Sequence, residues 1–358
     1  MDRRTFVKTL GVTSIAGLAG CTGGPTENDG DTENTDGGSA SVAVVYATGG
    51  LGDGSFNDQA QTGLERAKEE LSIQTEHSQP SDTSEFSRFQ SQYAQSTSPD
   101  YDLVCCIGSL QGDPLSDTAP QFPDQQFMLV DANVDEPNVE SYQFREEEGS
   151  FQVGHLAGLL TTDGLSTGAA STTDATSVGF IGGKENPLIK KFEAGFKAGV
   201  AYTDDSIDIT SNYIGSFNDV TRGKEAALTQ YNNGVDIIYH ASGNTGTGVF
   251  QAAQEAGRYA IGVDSDQSKT ESKYADHILA SMVKYVNIAM FDAIEGVVEE
   301  SFEGGTATEL GLEQEGVKTV YGEAIGSEIP DEIKSKLETS KEQIVSGEIS
   351  IPTDPSNV

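Results

Sequence analysis

Between residues 41 and 263 the chain runs twice through the same alternation, short apolar runs of four to seven residues separated by amphipathic stretches of ten to fifteen. Parallel strands buried on both faces read as short apolar runs, and each needs a helical crossover to reach its parallel neighbour. The alternation therefore restricts the fold to an α/β architecture of parallel sheets with helices on both faces. In the first series, strands are expected at 42–46, 103–107 and 127–130, with a helix at 57–71. Phe86, Phe89 and Tyr93 add a second set at helical spacing. A helix near 149–160 and a soft stretch at 161–176 follow. The pattern then restarts, with strands expected at 178–181, 235–240 and 260–263 and helices at 188–201, 220–231 and 247–256.

Two such series predict two doubly wound domains. Sheets of this kind bind ligands beyond the carboxyl ends of their strands, where the strand order reverses. The polar residues that directly follow expected strands are Asp53, Ser109, Asp131, Gly243 and Asp264.

Charge removes several functions from consideration. Asp and Glu number 57 against 21 Lys and Arg, for a formal charge of −36. No basic groove could neutralise a nucleic-acid backbone, so no nucleic-acid partner is expected, and anionic lipid would repel the fold. A surface this acidic resembles that of proteins from extreme halophiles, because molar salt shortens the Debye length to about 3 Å and screens the self-repulsion.

The N-terminus carries an address. Arg3-Arg4 precedes an uncharged stretch at 9–20 that is too short to span a bilayer and has the layout of a secretory signal. Paired arginines point to twin-arginine export, and Leu18-Ala19-Gly20-Cys21 resembles a lipobox in which Cys21 is lipidated after cleavage of residues 1–20. Residues 22–40 hold five acids and no base, so residues 21–40 are read as a lipidated cysteine and a disordered acidic tether. The expected location is the outer face of the cell membrane, with the lipid on Cys21 as the membrane attachment.

Catalytic motifs are missing from the sequence. It has no complete phosphate loop, no G-x-S-x-G elbow and no H-E-x-x-H, and its four histidines lack ligand spacing, so neither enzyme chemistry, a metal nor a cofactor is expected. Cys105 and Cys106 are adjacent in an apolar run and read as core residues on opposite faces of a strand. Two glycine-rich turns remain. Gly243-Asn244-Thr245-Gly246 follows a strand and opens a helix, while Gly52-Asp53-Gly54-Ser55-Phe56-Asn57 places a carboxylate, a ring and a helix cap within five residues.

Residues 50–57 resemble the G-x-x-D-x-S-F-N signature of the basic membrane protein family of lipoproteins, relatives of the purine nucleoside receptor. The resemblance continues through Val178-Gly179-Phe180-Ile181-Gly182-Gly183 and Phe192-Glu193-Ala194-Gly195-Phe196-Lys197-Ala198-Gly199. It runs on through residues 235–243, Ile261-Gly262-Val263-Asp264-Ser265-Asp266-Gln267 and Ser281-Met282-Val283-Lys284. One departure is visible: the family often carries two acids and a Lys in the first turn, where this chain has Gly52-Asp53-Gly54.

The resemblance implies a type I periplasmic-binding-protein fold, two doubly wound domains joined by a multi-strand hinge. Domain one is expected at 41–148 plus 283–305 and domain two at 149–282 plus 306–358. It also implies a monomeric substrate-binding protein of an ABC importer that closes on a nucleoside and presents it to a membrane permease. Phe56 and Phe192 would sandwich the base, and Phe196 suits the buried face of its helix. Asp131 would accept from base N–H groups, Asp264 from both ribose hydroxyls, and Lys284 would donate to the sugar. Asp53, Asn57 and Gly243 complete the shell. A ligand sensor that docks on a membrane signalling receptor would use the same binding chemistry.

Overall fold

Strand β1 (Ser41–Val45) opens the first lobe and is followed by α1 (Phe56–Leu71), β2 (Gln74–Ser78), α2 (Phe86–Ala94), β3 (Leu103–Ile107), α3 (Gly112–Thr118), β4 (Gln126–Val130) and β5 (Val139–Phe144). These elements come from a computed structural model, which describes residues 40–358; Arg3-Arg4, Cys21 and the acidic stretch up to residue 39 lie outside the described residues. The second lobe begins with α4 (Glu146–Asp163) and a short hairpin, β6 (Ser166–Thr167) and β7 (Ala170–Ser171). It continues through β8 (Ser177–Gly182), α5 (Pro187–Thr203), β9 (Asp208–Tyr213), α6 (Val220–Asn232) and β10 (Ile237–Ala241). Then come α7 (Thr245–Ala256), β11 (Tyr259–Asp264), α8 (Gln267–Thr270) and β12 (Ile278–Lys284). Helix α9 (Val286–Val298) and β13 (Thr306–Leu310) return to the first lobe, and β14 (Val317–Tyr321) and α10 (Asp331–Val345) to the second.

The first sheet has the order β13-β5-β4-β3-β1-β2 and is parallel throughout. The second has the order β14-β12-β11-β10-β8-β9, parallel except for its antiparallel edge strand β14. Each lobe thus repeats one doubly wound order, with the reversal beside its first strand, β1 or β8. That is where such sheets bind ligands.

The chain crosses between lobes three times, at Arg145, at Tyr285 and between Leu310 and Val317. Two expected boundaries shift. Val283 and Lys284 belong to β12 of the second sheet, and residues 306–310 form an edge strand of the first sheet, where β13 runs parallel to β5. Helix α4 starts at Glu146 and reaches Asp163, inside the stretch expected to be soft.

Strands β2 and β9 lie at sheet edges and are too polar to read as apolar runs, QTEHS and DITSNY. Each is half wet, and backbone pairing with the neighbouring strand, β1 or β8, holds it. Cys105 and Cys106 are buried in separate core clusters on the two faces of the first sheet, as their alternation on β3 requires.

Helices α4 and α5 set the floor of the second lobe. A Cβ at Gly195 would come within 2.2 Å of the Glu147 carbonyl oxygen, and one at Gly199 within 2.0 Å of that of Phe151. Glycine at these positions lets the two backbones touch, which fixes Phe192 on α5 relative to Glu146 at the start of α4. Phe196 is fully buried and packs against Phe180 and Tyr239, with ring centroids 6.3 and 5.4 Å away.

Candidate functional site

A cleft opens where the carboxyl ends of the two sheets face each other. Asp53, Phe56, Asn57, Asp131, Phe192, Gly243, Asp264 and Lys284 all line it, although they come from six separate places in the chain.

The turn after β1 is built to place Phe56. Gly50, Gly52 and Gly54 all adopt positive φ, at 70°, 83° and 57°, a region that suits residues without a Cβ. The Asp53 carboxylate accepts from the backbone N–H of Ser55 at 2.9 Å and of Asn57 at 3.0 Å, and from Asn57 Nδ2 at 2.9 Å. These bonds satisfy orphan donors at the N-terminus of α1. Asn57 Oδ1 in turn accepts from Ala47 N at 2.9 Å. Asp53 and Asn57 therefore spend their hydrogen bonds on the loop itself, and the side chain they present to the cleft is the Phe56 ring. Burial raises the Asp53 pKa, with the backbone N–H groups pulling the other way.

The two strand-end carboxylates share an unusual backbone. Asp131 directly follows β4 with φ at 70°, and Asp264 ends β11 with φ at 63°. Non-glycine residues seldom occupy this left-handed region, and Asp is among the few that tolerate it. The conformation turns each carboxylate away from its strand and into the cleft. Burial pushes the Asp264 carboxyl up to about 6, against the pull of Lys284 and of the Ser55 hydroxyl.

Lys284 sits at the centre. Its Nζ donates to Asp131 Oδ1 at 2.9 Å and Oδ2 at 2.8 Å, and approaches Glu146 Oε1 at 3.5 Å. The ammonium lies 4.8 Å from the Phe56 ring centroid and 5.5 Å from that of Phe192, within cation–π range of both. Burial opposes its charge, but Asp131, Glu146 and Asp264 outweigh burial and raise its pKa. Glu146, fully buried behind it, is pushed up to about 7 by burial and the Asp131 charge, against the pull of Lys284 and Lys191.

The lobes also touch directly, through hydrogen bonds between their loops. Ser55 Oγ donates to Asp264 Oδ2 at 2.6 Å, Gln59 Nε2 to the Asp264 carbonyl at 3.0 Å, and Thr270 Oγ1 to the Gly54 carbonyl at 2.8 Å. The first turn of one lobe is thus latched to the strand-end loop of the other.

Sequence reasoning missed three contributors: Glu146, Ser55 and Ser242. Glu146 stands in a run of three glutamates opening a helix, which reads as a solvated N-terminus. Only the tertiary fold buries the first of the three. Ser55 lay inside the quoted signature but carried no role, and Ser242 was hidden beside Gly243. Asp266, two residues on from Asp264, accepts from Ser268 and pairs with Lys269.

The family model for ABC transporter substrate-binding proteins of the PnrA-like, or Bmp, type matches residues 40–355. An uncharacterized lipoprotein of Pyrococcus abyssi is 33% identical over 86% of this chain and 74% of its own length. The ABC transporter nucleoside-binding protein BmpA of Lactococcus lactis is 29% identical over 99% of this chain and all of its own. Among solved structures, an ABC transporter solute-binding protein from Aeropyrum pernix superposes with a TM-score of 0.79 at 29% identity, covering 88% of this chain and 93% of that one. The matched family and the superposed structure are solute-binding proteins, not enzymes, and that structure shares the two-lobed, type I periplasmic-binding architecture described above. The chain belongs to the Bmp family of ABC transporter substrate-binding proteins.

Proposed function

We propose that this chain is an exported, lipid-anchored receptor that binds nucleosides, purines in preference, and delivers them to an ABC permease. The observation that carries the reading is one cleft in which aromatic rings from opposite lobes, Phe56 and Phe192, adjoin the buried Asp131–Lys284–Asp264 charge cluster. A flat base between two rings gains about 1–3 kcal/mol from stacking, and a vicinal diol is well matched by a carboxylate. In this reading Asp131, steadied by Lys284, keeps lone pairs for base N–H groups, and Asp264 accepts from the ribose hydroxyls. Lys284 balances the charge and donates to the sugar, while the Gly243 backbone closes the shell. A purine covers more ring area than a pyrimidine, and a phosphate would enter a cleft that already holds Asp53, Asp131 and Asp264. Hinge closure over the three crossovers would present the loaded form to the permease.

The naming of a relative as a lipoprotein supports attachment through Cys21. Cys21→Ser should then leave a folded, exported protein that no longer fractionates with membranes. The reading as a whole is tested by mass spectrometry of the small molecule released when protein purified in molar salt is denatured. Recovery of a purine nucleoside is expected, and recovery of a sugar or an amino acid in its place would contradict the reading.

A further inference from the structure

Behind the cleft wall of the second lobe lies a chain of buried side chains with a definite direction. Gln267 fixes it. Its Oε1 accepts from the Val263 backbone N–H at 2.8 Å, and its Nε2 donates across the lobe boundary to the Gly54 carbonyl at 3.3 Å. The same Oε1 lies 2.9 Å from His240 Nε2. A carbonyl oxygen can only accept, so His240 Nε2 must carry the ring proton. His240 Nδ1 is then a bare acceptor, and its partner at 3.2 Å is the Ser242 hydroxyl, which must donate to it.

The ring has no freedom to turn over. It packs edge-on against Phe250 at 5.1 Å, and a Cβ at Gly246 would fall 2.0 Å from its Cε1. Burial holds the imidazole down to about 4, so it stays neutral in ordinary buffers.

We infer that His240 is a positioning residue that consumes the Ser242 hydroxyl proton, so that Ser242 shows the cleft only lone pairs and selects a ligand group that donates. Ser242 lines the cleft and follows β10, next to β11, which ends at Asp264. The second-lobe wall therefore presents two neighbouring acceptors, one charged and one neutral. This rests on the nucleoside reading and deepens it. Ser242 accepts a further sugar hydroxyl and is the residue that makes an acceptor-only or missing group unfavourable there. Because Gln267 also bonds Gly54, the orientation is tied to contact between the lobes.

Two measurements test the inference. Long-range ¹H–¹⁵N correlation on histidine-labelled protein should show His240 as the neutral Nε2–H tautomer. Its signal is assigned by loss in His240→Gln or, should that variant not fold, by persistence in His77→Gln, His155→Gln and His277→Gln. A neutral Nδ1–H tautomer would overturn the relay. Calorimetry with 2′-, 3′- and 5′-deoxyinosine should find one hydroxyl whose removal weakens wild-type binding by about 3- to 10-fold and leaves Ser242→Ala binding unchanged. Equal losses in wild type and Ser242→Ala for all three analogues would overturn the role of Ser242. If wild type binds no nucleoside at all, the ligand reading fails, and the tautomer still decides the relay.

Discussion

The Lys284 ammonium, at the end of the second sheet, donates to both oxygens of Asp131, at the end of the first, at 2.9 and 2.8 Å. Both side chains are about 2% exposed, so this is a buried ion pair that spans the two lobes inside the cleft. It changes the roles that sequence alone implies. Lys284 acts first as the counter-charge that allows Asp131 and Glu146 to be buried together, and only then as a donor to any ligand. Removing one partner of such a pair costs about 3–5 kcal/mol, because the other charge stays buried and unmatched. Lys284→Met should lower unfolding free energy by about that amount in urea titrations at high salt. Adding Asp131→Asn should recover part of the loss. A Lys284→Met protein as stable as wild type would show that the cluster is hydrated and the pair unimportant.

Glu146 predicts a pH dependence with a definite sign. Its carboxyl rises from an ordinary 4.5 to about 7 in the folded chain. The fold therefore prefers the protonated form, and the stabilisation this gives is complete below about 4.5 and is lost as the pH rises through about 7. Glu146→Gln holds the neutral state at every pH. Melting curves should show the variant gaining on wild type between pH 5 and 8. A variant that falls further behind wild type over that range would contradict the assignment.

Asp264 separates a binding role from a structural one through three variants. Asp264→Asn tolerates the left-handed backbone and can still accept from Ser55, so the fold should hold while nucleoside affinity falls about 10- to 100-fold. Asp264→Ala should lose roughly 30- to 1,000-fold and some stability as well, because alanine at φ 63° is strained. Asp264→Gly relieves the strain without restoring binding. Melting temperature and calorimetry on all three distinguish the outcomes. Unchanged affinity in Asp264→Ala would remove Asp264 from the ligand site.

What the sequence made legible follows the strength of each local signal. The apolar runs at 103–107 and 127–130 and the glycine spacing of 192–199 are strong, and each marks an element that supports the cleft. The edge strands β2 and β9 carry almost no signal, because a half-exposed strand held by backbone pairing has no need of an apolar run. Strand-end positions showed which acids enter the cleft, since topology alone places them there. Pairing did not show, because Lys284 and Asp131 are 153 residues apart and meet only through the third dimension. Asp53, expected to complete the ligand shell, lines the cleft and also holds Phe56 in place through bonds to Ser55 and Asn57, a local role that its place in the turn leaves open.

Net charge yields a prediction independent of the ligand. A formal charge of −36 strains the compact state unless salt screens it, and the Debye length falls from about 10 Å at 0.1 M to about 3 Å at 1 M. Circular dichroism should show the melting temperature dropping markedly, or the fold lost, as salt is lowered from molar to about 0.1 M. Equal melting temperatures at both salts would refute the halophilic reading and leave the binding site untouched.

Calorimetric titration in molar salt of the ligand-stripped protein with inosine, guanosine, adenosine, cytidine, uridine and adenosine monophosphate tests the cleft assignment most directly. Purine nucleosides should bind at least about tenfold more tightly than pyrimidine nucleosides, a difference of about 1.4 kcal/mol, and the monophosphate more weakly than adenosine. Binding of the monophosphate more tightly than adenosine, or no heat with any nucleoside, would contradict the placement of a base between Phe56 and Phe192 and of a sugar against Asp264.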